Sequence, residues 1–600
     1  MYDIDTLKRM AARAIELTAD ARAASEKASD YYHGHQLTEA QKAEYARRKV
    51  PPLVNNRIQR KIDAMVGIEQ NSRTDPRAFP RKPQDEAGAE VATKSLVFVD
   101  DITRFDHKRS HAFENLLIEG YGGVEVVVEQ QRGQLEVAIN RLRWEELFYD
   151  PASREKDFSD ATFLGIMKWM TLDQALEIYG QHYTGEGDLE ELLQATLADV
   201  GESYDDRPRN GDLAWADPKL RRVRVAQMYY RRKGVWHLCV FTGGGEILHQ
   251  ESPYHDEEGR PDCPIILMTA YVDRDNRRYG VVKSLMSMQD EINARRSRIL
   301  QLLFNRQTVA IKGAVDVTAM KRAMASPDGH VDVDPDVAEA ALQTGMKPFD
   351  VVNQDGQIAA QFSLLTESKE EIDHLGPNAS LLGQLSGQQS GRAIMAQQRA
   401  GMAELTPIYD SLRDWTLRVY RAMWCRMRQF WTEERWVRVT GDTEAPQFIG
   451  INQVQGYQID PMSGQIVPQV ENSLAEMDVD IIIDEAPDFV SLRHEQFEQL
   501  TQMAQAGVPI PPEIMIEASS LRDKPRLLEV MQQAQAGQAQ AQQAMAEAEN
   551  ARKDMDTQSQ AQLRMAQAAK AASDADKTQF DLQQAQTSTA IGLALQGLAP

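Results

Sequence analysis

Residues 391–436 read GRAIMAQQRAGMAELTPIYDSLRDWTLRVYRAMWCRMRQFWTEERW, and the fold turns on how this stretch is read. Ile394, Met395, Met402, Leu405, Ile408, Tyr409, Leu412, Trp415, Val419, Met423, Met427 and Phe430 or Trp431 recur at the spacing of one helix face. From Arg392 to Trp436, roughly 45 residues at ~1.5 Å each give about 70 Å, too long for one compact domain. Pro407 lies inside the run. Its ring removes one i→i−4 hydrogen bond and crowds the preceding turn, so a kink is expected near Ala403–Thr406. The segment is read as one long, bent helix.

Just before it, GPNASLLGQLSGQQSG places Gly376, Gly383, Gly387 and Gly391 among Ser, Gln and Asn, a flexible loop by composition. A short helix, TESKEEIDHLG (366–376), leads into that loop, and the stretch before it, 311–362, carries turn signals (SPDGH, DVDPD). Earlier still, residues 281–307 place Leu285, Met288, Ile292, Ile299 and Leu302 or Leu303 on one stripe, a helix of roughly 40 Å at ~1.5 Å per residue. Arg295 and Arg296 fall close to that stripe and Arg298 points away from it. The first 270 or so residues mix helix and strand, giving an α+β character. Helices are expected over 5–30, over 54–71 and from Glu86 to Gly120, with a proline-rich loop over 74–90. Hairpins are expected around Arg132-Gly133 and around Gly234-Val235. Strands return over 437–490 (VRVTG, MDVDIIID), and helix resumes from Ser491. Over 531–590, Ala and Gln supply about half of the residues, with Phe580 the one aromatic. Such a segment either frays or is held beside copies of itself.

Length and composition set the frame. Six hundred residues are about four typical ~150-residue domains. Apolar residues make up 42% and charged residues 26%, ordinary for a globular chain. With 67 basic and 90 acidic side chains the net charge is −23, which argues against gripping phosphates over the whole surface but leaves room for local basic patches. Three widely separated cysteines (Cys239, Cys263, Cys425) argue against a disulfide framework and a thiolate zinc site, and fit a reducing compartment. No apolar run approaches the ~18 residues of a membrane span, and MYDIDTLKRMAARAIELTAD lacks the apolar region of a secretory signal.

A catalytic site is not legible. Gly243-Gly244-Gly245 is followed by Glu246, and Gly280 to Ser284 has the wrong spacing for a phosphate loop. His494-Glu495 does not continue into a zinc motif, and Gly387 to Gly391 puts its serine one place too late for a nucleophile elbow. His33 and His35 have no third ligand nearby. Asp478, Asp480 and Asp484 share a strand parity, with Glu485 and Asp488 beyond; they read as the open face of a strand that buries Val479, Ile481 and Ile483, or as a Mg²⁺ site. KLRRVRVAQMYYRRK (219–233) interleaves seven cations with Tyr229 and Tyr230, suited to DNA phosphates, to an acidic partner or to the chain's own acids. Arg295, Arg296 and Arg298, with Arg413, Arg418, Arg421, Arg426 and Arg428, sit on long helices, where pairing with acids of a neighbouring subunit is favoured over DNA contact.

Four local patterns share one resemblance. YYHGHQL and PPLVNNRIQRKIDAMVGIEQNSR carry Asn56, Ile58, Gly67, Asn71 and Arg73; FYDPASREKDFSDATF carries Asp150, Pro151, Asp157, Ser159, Asp160 and Ala161. YGVVKSLMSMQDEINARRS carries Tyr279, Gly280, Gln289, Asp290, Asn293 and Ser297; SGRAIMAQQRAG carries Ser390, Gly391 and Arg392. In this order, with the straight helix, loop and proline-containing helix, they resemble the portal proteins of tailed bacteriophages, closest to those of short-tailed phages with a C-terminal helical extension.

The resemblance implies an α+β, mainly helical, ring-forming portal fold. It maps 1–279 and part of 437–500 to the wing, and the rest of 437–500 to crown strands and a helix start. The stem helices fall at 280–306 and 363–377, the clip at 307–362, the tunnel loop at 378–390, the long kinked helix at 391–436 and the crown and barrel at 501–600. It implies no enzyme activity, catalytic group, metal or cofactor. Its implied role is a ring of twelve at one capsid vertex, the channel through which terminase packages double-stranded DNA and through which DNA is ejected. Major capsid, scaffolding and head-to-tail adaptor proteins are the other implied partners, with no membrane; the location is the virion after synthesis in the host bacterial cytoplasm. Asn378, Gln384, Gln388, Gln389 and Arg392 are expected to face DNA; Arg295, Arg296, Arg298, Arg413 and Arg421 to face neighbouring subunits; Pro407 to mark the kink. The other readings are a different head–tail adaptor or tail ring, or a DNA-processing enzyme.

Overall fold

The computed structural model describes residues 1–375, 391–439, 447–459 and 466–483, with short interruptions of which 199–213 is the longest, and stretches of the C-terminal region, chiefly 510–518 and 557–584. The chain divides into two units, Met1–Pro487 and Asp488–Pro600.

The first unit is organised around the helix Gly391–Phe430, unbroken through Pro407. The side chains of Ile394, Met395 and Met402 lie outside the described residues; Leu405, Ile408, Leu412, Trp415, Val419, Met423 and Met427, seven members of the ladder read from the sequence, are buried, and Tyr409 is half-buried. They pack against the helix Glu86–Thr103 and the strands Tyr121–Gln131 and Ile265–Thr269. The Trp415 indole donates to the Ile266 carbonyl at 3.0 Å, which satisfies the polar atom of this fully buried side chain. The helix stops at Phe430, earlier than expected, because Arg435–Val439 pairs as a strand with Gln447–Ile451.

Two hairpins fall where the turn residues put them. Tyr121–Gln131 pairs with Gln134–Arg141 through Arg132 and Gly133, both at positive φ, the geometry that matches strand twist. Arg222–Arg232 pairs with Val235–Phe241 through Lys233 and Gly234, one residue earlier than expected, since Val235 already starts the strand. The latter pair lies inside a six-stranded sheet with Leu147–Tyr149, Phe163–Thr171, Glu246–Glu251 and the two-residue strand Ala216–Asp217.

Three local expectations are corrected. The helix expected over 5–30 divides at Thr18, whose hydroxyl bonds back to the Ala14 carbonyl, into Ile4–Leu17 and Ala19–Tyr32. The helix expected from Glu86 to Gly120 breaks at Arg104 (φ 51°) into Glu86–Thr103 and Phe105–Ile118. The proline-rich loop contains a strand, Pro76–Pro80, antiparallel to Val479–Ile483; two prolines are tolerated because this two-stranded ribbon is all edge. Val479 and Ile481 are buried in that ribbon and Asp480 lies on the other parity, as the strand reading expects. Asp478, Asp484, Glu485 and Asp488 lie outside the described residues.

In the second unit, Pro512–Ala518 is a helix. Residues 557–584 are helical and exposed throughout, including Leu563, Met565, Phe580 and Leu582.

Candidate functional site

Two helices, Val282–Phe304 and Asp355–His374, pack along one another. Thr308–Ala310 pairs with Phe349–Val351, which ties the end of the first helix to the start of the second and makes the pair antiparallel. The second helix begins well before the short helix expected over 366–376, so less of 311–362 is irregular than its turn signals suggest.

The root of this pair is built by three of the four sequence patterns. Gln289, Asn293 and Ser297 stand at i, i+4 and i+8 and are buried. Four helical residues rise ~6 Å and two extended residues ~6.6 Å, so such a ladder can read alternate residues of an extended strand. It does so on residues 53–57. The Leu53 N–H donates to Ser297 Oγ at 3.2 Å, the Asn55 N–H to Asn293 Oδ1 at 2.9 Å, and the Arg57 N–H to Gln289 Oε1 at 3.0 Å. Gln289 Nε2 returns a bond to the Asn55 carbonyl at 2.7 Å, and Asn293 Nδ2 donates to Gln36 Oε1 at 2.6 Å. Tyr31 donates its hydroxyl to Asp290 at 2.7 Å, and Asn56 Nδ2 donates to the Tyr32 carbonyl at 2.7 Å. The helix expected over 54–71 therefore starts only at Ile58, because 53–57 is drawn out along the ladder.

The second pattern is a self-bonded loop. Asp150 accepts from the Ala152 and Thr162 N–H groups at 2.9 and 3.0 Å, and Asp160 accepts from Ser153 Oγ and the Arg154 N–H, both at 2.6 Å. The loop's carbonyls receive the buried Arg278 guanidinium: Glu155 at 3.0 Å and Ser153 at 3.1 Å, with the Phe158 ring 3.7 Å beneath. Arg278 precedes Tyr279-Gly280, where the helix is launched. A Cβ on Gly280 would lie 2.4 Å from the Leu117 carbonyl oxygen, and one on Gly120 (φ 99°) 2.2 Å from the Tyr279 carbonyl carbon, so both glycines are required by close approach. The second helix is anchored from the same side: Arg57 meets Asp373 at 2.7 Å, and Lys61 Nζ donates to the carbonyls of Asp373 (3.0 Å) and Leu375. Burial pushes the Lys61 ammonium down to about 8. Sequence reasoning did not single out Gln36, Lys61 or Arg278; the first two lie inside the stretches that carry the resemblance and Arg278 borders one at Tyr279-Gly280, and that nearness was their one signal.

The distal part of the pair is uncovered. Leu303 is 55% exposed, Phe304 77% and Phe362 53%, and Val309, Val317, Leu342 and Met346 are open as well. Of the expected interface arginines, Arg295 folds back onto Glu291, while Arg296 and Arg298 are exposed, the latter donating to Gln301. On the long helix Arg413 is exposed and Arg421 lies 3.9 Å from both Glu257 and Asp480. Arg426 is fully buried, donating to the His255 carbonyl at 2.8 Å over the Tyr254 ring, and is spent inside its own chain. Asn378, Gln384, Gln388 and Gln389 lie outside the described residues, as does the side chain of Arg392 in the first turn of the long helix.

The basic run is largely consumed internally. Arg222 pairs with Asp217 at 3.0 Å, Arg224 stacks 4.4 Å from the Trp169 ring, Arg232 caps the Tyr2 ring at 4.7 Å, and Tyr229 and Tyr230 are core. Behind it, ligand atoms of Cys239, Glu246 and His249 lie within 4.8 Å of one another. Tyr230 Oη receives the Tyr2 N–H at 3.2 Å and stands 2.7 Å from His249 Nε2, while Nδ1 is 3.2 Å from Glu246. A relay from Tyr2 through Tyr230 and His249 to Glu246 satisfies every one of these groups, and burial pushes the Cys239 thiol up; this is a hydrogen-bonded strut. His33 and His35 end a helix, exposed, on no shared strand face. Among the described residues no helix is long and apolar enough to cross a membrane.

The chain is 21% identical over 444 residues to the portal protein of Helicobacter pylori bacteriophage KHP30, covering 73% of this chain and 69% of that protein. It matches the family described as phage P22-like portal protein over residues 8–579, nearly end to end. A match of that span, over a helix-rich α+β chain whose resemblance-bearing residues converge on one helix root, makes the chain a member of the P22-like phage portal protein family.

Proposed function

We propose that this portal protein closes into a ring of twelve copies at one capsid vertex, and that the ring is the channel for packaging and ejecting double-stranded DNA. The observation that carries the reading is the bare distal hairpin. Leu303, Phe304, Val309, Phe362 and Met346 leave a large apolar surface that one chain does not bury, and symmetric neighbours supply the missing cover. In this reading Val282–Phe304 and Asp355–His374 are the stem, the segment between them is the clip, and residues 1–279 with part of 437–500 form the wing. Residues 378–390 are the tunnel loop, and 501–600 form the crown and barrel, with neighbouring Ala-rich helices packing closely. A bend at Pro407 lets the 391–430 helix follow the wall.

Electrostatics fit a conduit. Twelve copies at −23 carry about −276 in all, twelve times the charge of one chain. A lumen sharing that sign repels the DNA backbone from every side, so the counterion-release term that makes ordinary DNA binding tight is absent and the duplex slides. Asn378, Gln384, Gln388 and Gln389 offer weak, exchangeable polar contacts to phosphates, and Arg392 a local grip. Terminase docks on the clip during packaging and adaptors replace it afterwards, with capsid and scaffolding proteins around the wing. The test is deletion of Ser380–Gln389. Rings are expected to form as before while packaging or genome retention falls sharply; unchanged packaging and retention would remove the loop from the mechanism.

A further inference from the structure

The helix Ile58–Asn71 holds the chain on both sides of residues 376–390. Arg57, Lys61 and Met65 stand at i, i+4 and i+8, one behind another on one helix face. The first two reach the end of Asp355–His374. Arg57 meets the Asp373 carboxylate at 2.7 Å, and the Lys61 ammonium donates to the Asp373 carbonyl at 3.0 Å and to that of Leu375. The last carbonyls of a helix have no partner within it, and a cation placed there satisfies them and suits the helix dipole. The third reaches the long helix: the Met65 carbonyl accepts the Tyr409 hydroxyl at 2.6 Å, with the Phe113 ring 5.3 Å from that of Tyr409. Glu404 of the same long helix lies near enough to Lys61 to favour its charge.

Lys61 is a costly residue for this place. It is only 6% exposed, and burial lowers its ammonium to about 8. Asp373 and Glu404 face it with favourable sign and Arg57 opposes it, while Gln289, which meets the Arg57 N–H from the first helix, is neutral. An apolar side chain would fill the space without that cost, but could neither hold two carbonyls nor attract Glu404.

We propose that Lys61 is a positioning residue for the channel: it ties the end of Asp355–His374 to the 391–430 helix and so fixes the span between the two ends of residues 376–390. The inference rests on the reading of 378–390 as the tunnel loop and adds what sets the places where that loop begins and ends. Charge-assisted hydrogen bonds are about twice as strong as neutral ones, so the tie slackens as pH rises through about 8. Lys61's own contribution to global stability moves the other way, rising between about 8 and 10.5 as the buried charge is relieved, so slackening there is not general unfolding.

The test is the spin-label distance between E371C on one helix and D410C on the other, both exposed positions in a chain whose three native cysteines are buried. Labelled full chain is diluted with unlabelled chain, so that only distances within one copy are read. The wild type is expected to give a narrow distribution at pH 7 that broadens at pH 9. K61M is expected to be broad at both values and K61R, which keeps its charge, narrow at both. Particles built with K61M are expected to assemble rings yet package less DNA than those with K61R. A wild-type distribution that stays narrow at pH 9, a K61M distribution that stays narrow, or a K61R distribution that broadens with pH as the wild type does would overturn the tie. Broadened K61M distances with full packaging would overturn its part in the channel. If deletion of Ser380–Gln389 leaves packaging unchanged, the loop reading fails, and the distances still decide the tie.

Discussion

Asn293 sits at the junction of three elements. Its Oδ1 accepts from the Asn55 N–H and from Gln289, and its Nδ2 donates to Gln36, all away from water. Truncation to alanine strands those groups, and a buried donor or acceptor without its partner costs about 1–3 kcal/mol. N293A is expected to lower stability by that amount in chemical unfolding, and S297A by less, since Ser297 supplies one bond to Leu53. A second residue to watch is Asp100. Burial, and next the nearby Asp106 carboxylate, push its carboxyl up to about 7, against the Tyr420 hydroxyl that donates to it at 3.1 Å. The folded chain then keeps a proton that the unfolded chain sheds near 3.8, so stability falls as pH rises from about 4 through 7. D100N keeps an acceptor for Tyr420 without the buried charge. Its thermal midpoint is expected to exceed that of the wild type at pH 8 and to converge with it near pH 4; a variant less stable at pH 8 would contradict this. Neither residue's environment is legible from its neighbours in sequence. Asn293 was visible only as part of a pattern, because its partners at 36 and 55 are set by tertiary approach.

At the scale of elements, periodicity read well wherever a helix has one buried face. From Leu405 to Met427 the long helix buries most of its ladder, and Leu285, Ile292, Ile299 and Leu302 of the 282–304 stripe are buried as well. The hairpins were legible from their turn residues, since positive φ at Arg132-Gly133 and Lys233-Gly234 is a local property. What escaped reading was non-local. The Pro76–Pro80 strand exists because a partner about 400 residues later runs beside it, and the break at Arg104 has no proline or glycine to mark it. The candidate site was half legible. The signature residues were named, but not that they converge on one helix root; the loop residues 378–389 lie outside what the structure describes. The interlock between long helix and sheet gives the sharpest test at this scale. W415A removes a fully buried indole and its bond to the Ile266 carbonyl, and is expected to cost about 3–5 kcal/mol in chemical unfolding. A loss below about 1 kcal/mol, the size of one ordinary hydrogen bond, would mean the helix is not the axis of the core.

For the whole molecule, membership in the portal family makes the chain a structural, non-enzymatic component of a phage virion. The acidic balance, the self-bonded signature loops and the bare helix pair fit one physical picture: rigidity spent at the root, and uncovered surface left for neighbours. The most direct test is a set of averaged electron micrographs of the purified full chain viewed down its particle axis. The account predicts closed rings with an open centre, twelve copies of a 67.6 kDa chain amounting to about 811 kDa. Uniform single-chain particles of 67.6 kDa with no central opening, persisting at high protein concentration, would contradict it.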